Sequence, residues 1–230
     1  YADVRVVLID LNLQGGDAEL FVSDSHANSS VGGIAQDIQR LDQTLLEASL
    51  IRVLPNFGVL AAVHDTHEAF AVKPEHVGQL MDVAVRNYDL VVLDMPRSVD
   101  PLTMKALDRA NEICLVMQMP LPFIRDAKKL LGDFRSLGYG SDKVHIVVNR
   151  YEADPDITLK DLEHAIGMQV YRTVPNSYRH VTSSVNQGVP IVRLEPRDPV
   201  SRTLLEMAAR QMHQDGIEQR KSWLSKLTGK

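Results

Sequence analysis

What most limits how this chain can fold is a regular alternation of two patterns. The segments Val4-Arg5-Val6-Val7-Leu8-Ile9, Gly58-Val59-Leu60-Ala61-Ala62-Val63, Leu90-Val91-Val92-Leu93, Ile113 to Met117, Val144 to Val148 and Val170 to Val174 are short and almost wholly apolar. A strand with one wet face alternates apolar and polar residues; a run without alternation reads as a strand covered on both faces, as in parallel sheets. Between these runs the apolar residues fall at helical spacing. Ile38, Leu41, Leu45 and Ala48 form one stripe, and Pro74 opens another with Val77, Leu80, Met81 and Ala84. Asp100-Pro101 reads as an N-cap and first-position proline ahead of Leu102, Ala106, Leu107 and Ala110. Phe123, Ala127, Leu130, Leu131, Phe134 and Leu137 make a stripe stopped by Gly138. Thr158 with Asp161 has the form of a capping box for the helix of Leu162 and Ile166, and Val200, Leu204, Ala208 and Met212 close the pattern. With no hairpin dipeptide between the strands, this order predicts an α/β fold, a doubly wound, mostly parallel sheet flanked by helices. It predicts one domain over residues 1–216, followed by a basic C-terminal tail, 217–230.

Composition removes several classes of function. With 230 residues, 44% hydrophobic and 24% charged, the chain has the make-up of a globular domain with a sizeable core. A net charge of −5 argues against nucleic acid as a partner through charge alone. The single cysteine, Cys114, excludes an internal disulfide and a cysteine-built zinc site, and its run Ile113-Cys114-Leu115-Val116 predicts a buried small hydrophobe. No apolar run reaches the roughly 18 residues of a membrane span and no signal peptide is recognisable, which predicts a cytoplasmic setting.

In doubly wound sheets ligands bind beyond the carboxyl ends of the strands. The first apolar run is followed by Asp10-Leu11-Asn12-Leu13-Gln14-Gly15-Gly16-Asp17, the third by Asp94-Met95-Pro96-Arg97, the fifth by Asn149-Arg150-Tyr151 and the last by Pro175-Asn176. Each acid alone reads equally well as a loop cap. As a set, Asp10, Asp94 and Asn149 predict one rim at which a carboxylate steadies a nucleotide-bound magnesium ion, usually through water.

These residues carry a specific resemblance. Ile9-Asp10-Leu11-Asn12-Leu13-Gln14 resembles the second-strand signature of the deviant-Walker ATPases, MinD, ParA and their relatives. Leu93-Asp94-Met95-Pro96 resembles their Walker B and second switch, and Val147-Val148-Asn149-Arg150-Tyr151 their adenine-contacting segment. Together with Arg40-Leu41-Asp42-Gln43-Thr44-Leu45-Leu46, Val174-Pro175-Asn176 and Val185-Asn186-Gln187-Gly188-Val189-Pro190, they resemble the CpaE/TadZ branch, proteins of tight-adherence (Tad/Flp) pilus assembly. The resemblance implies ATP and Mg2+ as cofactors. It implies that Asp94 orients a magnesium-bound water, that Asp10 and its loop form the first switch, that Asn149 and Arg150 meet the adenine, and that Pro96 and Pro175 line the nucleotide. Arg97 would sense a partner or phosphate, or stand as a solvated charge. It further implies a homodimer that sandwiches nucleotide, and recruitment of Tad secretion components such as the secretion ATPase at a cell pole.

Two departures from the family pattern shape the expectation. No G-x-x-x-x-G-K-[ST] or K-G-G-x-G-K-[ST] loop occurs in the chain, and the family would place it about 30 residues upstream, so a longer protein is expected. Where relatives often carry a second aspartate, this chain has Asn12, which cannot take a proton from water, so hydrolysis is expected to be slow or absent. Rival readings are a true MinD- or ParA-type ATPase for division-site placement or DNA segregation, and a P-loop small-molecule kinase. His64, His67 and Glu68 have metal-binding spacing without an evident third ligand. In the tail, Arg220, Lys221, Lys226 and Lys230 with Trp223, Leu224 and Leu227 suit either a membrane surface or a docked terminal helix.

Overall fold

The computed structural model describes residues 3–23, 29–63, 65–153 and 156–214; His64 and the tail 217–230 lie outside the described residues. The elements follow in the order β1 (Val6–Asp10), α1 (Val31–Gln36), α2 (Gln43–Ser49), β2 (Ile51–Leu54), β3 (Phe57–Leu60), α3 (Thr66–Ala71), α4 (Pro74–Asn87) and β4 (Leu90–Asp94). They continue with α5 (Pro101–Arg109), β5 (Ile113–Met117), α6 (Leu121–Ser136), β6 (Val144–Tyr151), α7 (Leu159–Ile166), β7 (Val170–Pro175), α8 (Tyr178–Asn186), α9 (Ile191–Leu194) and α10 (Pro199–Gln214). The chain divides into two compact units: Tyr1–Arg109 with Ser184–Pro190 and Gln211–Lys230, and Ala110–Ser183 with Ile191–Arg210.

The first unit holds a sheet in the order β2-β3-β1-β4. β1 pairs parallel with β3 and with β4, and in the second pairing Asp10 stands level with Asp94. β2 and β3 pair antiparallel, so the chain contains a hairpin that the strand spacing did not predict. Its turn is Pro55-Asn56, and Asn56 fastens it by donating from Nδ2 to the Val4 carbonyl at 2.7 Å. Val7, Ile9, Leu46, Leu60, Leu80 and Ala84 are the centre of the core. Pro74 does open α4, whose Val77, Leu80, Met81 and Ala84 are buried, as their spacing requires. The predicted long stripe from Ile38 to Ala48 is instead a short 3-10 turn followed by α2. The break comes at Asp42, whose carboxylate caps α2 by accepting the Leu45 amide at 2.8 Å.

The second unit has a parallel sheet in the order β5-β6-β7. α6 buries Ile124, Ala127, Leu131 and Phe134, and Gly138 follows with φ +82°, a left-handed turn that a glycine adopts without strain. The Thr158–Asp161 capping box is present and buries Leu162 and Ile166 through α7. Val147, Val174, Ile191 and Val200 form a further cluster. Cys114 corrects the expectation of a buried thiol. β5 alternates buried and exposed residues, and Cys114 is exposed on the same face as Val116, which is 61% exposed. An apolar run alone cannot distinguish a strand with one open face from one covered on both.

Candidate functional site

The first unit places Asp10 and Asp94 at the carboxyl ends of neighbouring parallel strands. Adjacent strands in a ladder are about 4.8 Å apart, so the sheet itself brings these two acids together. The loop after β1 then wraps around Asp10. Its Oδ1 accepts the Asn12 amide at 3.0 Å and its Oδ2 accepts the Ala18 amide at 3.1 Å, while the residue is 1% exposed. Asn12 holds the turn from inside by donating from Nδ2 to the Gly15 carbonyl at 3.1 Å. A Cβ at Gly16 would lie 2.4 Å from both Asp10 carboxylate oxygens, so only a glycine permits this approach.

Burial pushes the Asp10 carboxyl above its ordinary value of 3.8. The two amides oppose that push, and the charges of Asp94 and Asp17 add to it. Asp94 is also held above 3.8 by burial, against the Met95 amide, although the residue as a whole is exposed. Two carboxyls pushed upward side by side form a site that gains from a cation.

Beyond these strand ends lies a cavity of about 490 Å3 lined by the loop 11–16, by Ala62, Val63, Asp65 and Phe70, and by Pro96, Ser98 and Asp100. Phe70 is 82% exposed at its mouth. Asp100 is committed to its helix: its carboxylate accepts the Thr103 amide at 2.8 Å and the Ser98 hydroxyl at 3.0 Å, which is the predicted N-cap of α5. Asp65 caps α3 through the Glu68 amide at 3.0 Å. Neither was expected to line the site. Their signal was present as an acid before a helical stripe, but capping says nothing about a cavity.

Asn149, Arg150 and Pro175 belong to the second unit, at the carboxyl ends of β6 and β7. Arg150 has φ +51°, the one non-glycine residue in the left-handed region among those described. The β6–β7 register shifts at that point, and Asn149 Oδ1 accepts the Arg150 amide at 2.9 Å. Left-handed backbone in a non-glycine residue is costly and clusters at ligand-holding segments. The turn after β7 is tied back to β6: the Asn176 amide donates to the Tyr151 carbonyl at 3.3 Å, and its Nδ2 to Glu152 Oε1 at 2.6 Å.

Among the described residues no group of three or more His, Cys, Asp or Glu side chains could hold a metal ion unaided. Glu68, considered with His67 as a ligand, accepts the buried Ser30 hydroxyl at 2.7 Å instead. No described helix is long and apolar enough to cross a membrane. Arg97 is exposed and Gln14 lines the cavity from an exposed position.

No protein-family model matches the chain. It is 22% identical over 151 residues to the septum site-determining protein MinD of Thermotoga maritima, covering 64% of this chain and 55% of that protein. It is 22% identical over 200 residues to MinD of Synechocystis, covering 83% and 71%. The chain spans 45% and 66% of the lengths of MinD-named relatives from Emiliania huxleyi and Oltmannsiellopsis viridis, so it corresponds to less than two thirds of these proteins. Among solved structures, a ParA family ATPase from Chlorobium tepidum superposes with a TM-score of 0.86 at 23% identity, over 90% of this chain and 86% of that one. MinD of Pyrococcus horikoshii, solved with Mg-ADP, superposes with a TM-score of 0.78 at 16% identity, over 94% and 86%. The fold is that seen in the MinD and ParA-family ATPase structures, and in sequence the chain is similar to curated MinD proteins.

Proposed function

We propose that this chain is the switch part of a nucleotide-dependent positioning protein, and that its task is to localise a Tad/Flp pilus-assembly machine as a homodimer. The observation that carries the nucleotide reading is the in-register pair Asp10 and Asp94, both held above the ordinary carboxylate range, at strand ends whose following residues, the loop 11–16 and Pro96, line a cavity. Magnesium commonly binds through one or two carboxylates together with substrate phosphates and water, so a two-acid donor set suits a magnesium nucleotide better than a metal held by protein alone. Asp94, the more exposed of the pair, would face the ion, and Asp10 would shape the loop beside it. The ion would neutralise phosphate charge. Asn12, tied to Gly15, offers an amide where water activation needs a base, which supports slow hydrolysis. Asn149, Arg150 and Pro175 would serve the base. The pilus assignment rests on the motif resemblance to CpaE/TadZ proteins.

The test is titration of a fluorescent ATP analogue into protein expressed from the complete gene, with and without Mg2+. Binding that tightens with Mg2+, and an Asp94→Ala variant weaker by about 10- to 100-fold, are expected. Binding indifferent to Mg2+ would sink the nucleotide reading. For the pilus role, a fluorescent fusion should gather at one pole with the secretion ATPase and disperse in Asp94→Ala; normal piliation in cells lacking the gene would end it.

A second reading is favoured by the curated relatives, which are named as septum-site MinD proteins. Under it the protein is an active ATPase, with turnover stimulated by membrane or DNA. The Asn12 position separates the two: robust stimulated turnover supports the second reading.

A further inference from the structure

In the second unit one buried carboxylate joins the starts of two helices. Asp198, 6% exposed, directly precedes α10, and its Oδ1 accepts the Val200 amide at 2.8 Å. Its Oδ2 accepts the Ser177 hydroxyl at 2.6 Å and faces His180 Nδ1 at 2.6 Å. Ser177 directly precedes α8 and its carbonyl accepts the Val181 amide at 3.0 Å; His180 lies in the first turn of that helix. The Ser177 hydroxyl therefore points at an acid and not at a substrate, and the arrangement is not a nucleophilic triad.

Counting acceptors shows what the cluster does. Oδ1 is committed to α10 and Oδ2 to the turn, so the Pro175–Ser177 turn is pinned to the start of α10 through a single side chain. The same turn is pinned on its other side to the end of β6, through the Asn176 bonds to Tyr151 and Glu152. Of these ties, the one through His180 is weakened when the imidazole loses a proton. Deprotonated imidazole can still donate from Nδ1 but loses the charge that strengthens its bond to a carboxylate. Glu195 favours the charged imidazole and Arg179 opposes it, with Asp198 outweighing both, so the His180 pKa lies above its ordinary 6.5.

We propose that Asp198 is a positioning residue that locks the Pro175–Ser177 turn, and that protonation of His180 sets how firmly the turn is held. The functional consequence rests on the reading that this turn lines the base of a bound nucleotide: the base-side contact would be firmer while His180 is protonated and looser once it is neutral.

Hydrogen exchange tests the lock directly, expressed as protection factors so that the intrinsic pH dependence of exchange is removed. In the wild type, protection of the amides of residues 176–182 should fall roughly two- to five-fold between pH 5.5 and 8.5, the scale of an accessible ion pair. In His180→Gln, which donates but does not titrate, protection should be flat across that range. In Asp198→Asn it should be lower than wild type at both ends. Equal wild-type protection at the two pH values, or a His180→Gln variant that follows the wild type, overturns the proposal. A parallel titration with a fluorescent ADP analogue and Mg2+ should show affinity falling by the same factor. If protection moves with pH and affinity does not, the lock stands and the base-side role of the turn falls; if the wild type binds no nucleotide at either pH, the proposed function fails while the exchange result keeps its meaning.

Discussion

The two units each bury an aspartate at the end of a strand or helix, and the two are treated in opposite ways. Asp10 is surrounded by loop amides but faces another acid across the sheet, and its carboxyl is pushed up. For Asp198 burial also pushes up, yet Ser177, His180 and the Val200 amide outweigh it and hold the carboxyl below 3.8. The difference teaches that burial alone does not decide whether an acid is structural or poised. What decides it is whether the surrounding donors neutralise the charge. Asp198 has a cationic partner in His180, whereas among the described residues no cation is paired with Asp10 or Asp94.

That contrast can be broken by substitution. Asp10→Ala should be the most damaging change, at about 3 kcal/mol by urea unfolding, because it leaves the Asn12 and Ala18 amides without their acceptor. A loss under about 1 kcal/mol would mean that the loop does not depend on Asp10. Gly16→Ala should cost about 2 kcal/mol through overpacking, its methyl meeting the same carboxylate. Asp198→Ala should cost about 1.5 kcal/mol, mainly the lost cap of α10, and Mg2+ should recover none of it.

The smallest effect is the most discriminating, because pH moves the two sites in opposite directions. Asp10 and Asp94 have raised folded-state values, so their burden on stability is absent below 3.8 and grows as pH rises through the raised values. Asp198 has a lowered value, so its contribution is present above 3.8 and is lost as pH falls through the folded one. His180 has a raised value, so its contribution is complete below 6.5 and is lost as pH rises past the folded one. Unfolding midpoints measured from pH 3 to 9 should therefore rise on acidification in Asp198→Asn relative to wild type, and in Asp10→Asn should lose part of the decline that sets in as pH rises above 3.8. Identical profiles in the two variants would remove the distinction drawn between the sites.

Much of the frame was legible in the sequence because it depends on local chemistry. Proline at the start of α4, the Asp100 cap, the Thr158–Asp161 box and Gly138 each act within a turn of their own position, and a reader of the chain can find them. Asp10 and Asp94 were legible as strand tips, since an acid ending an apolar run is rare by chance. What Asp10 does with its oxygens was not legible, because the Ala18 amide comes back to it only after the loop has closed. The hairpin was missed although Pro55-Asn56 is a turn signal, since Ile51–Leu54 carries Arg52 and did not read as a covered strand. Cys114 was misjudged for a related reason: exposure depends on neighbours in space. The link between His180 and Asp198 crosses from α8 to α10, and no spacing rule connects them.

The parallel register of β1 and β4 has a mechanical corollary. The gap between the two acids is set by peptide geometry, not by the side chains, so the ladder behaves like a caliper whose jaws are fixed at manufacture. Sliding one strand by a residue would turn every core side chain of that strand outward, so repulsion cannot be relieved by slippage. Substitutions at either tip can change the charge held between the jaws while the opening itself stays constant.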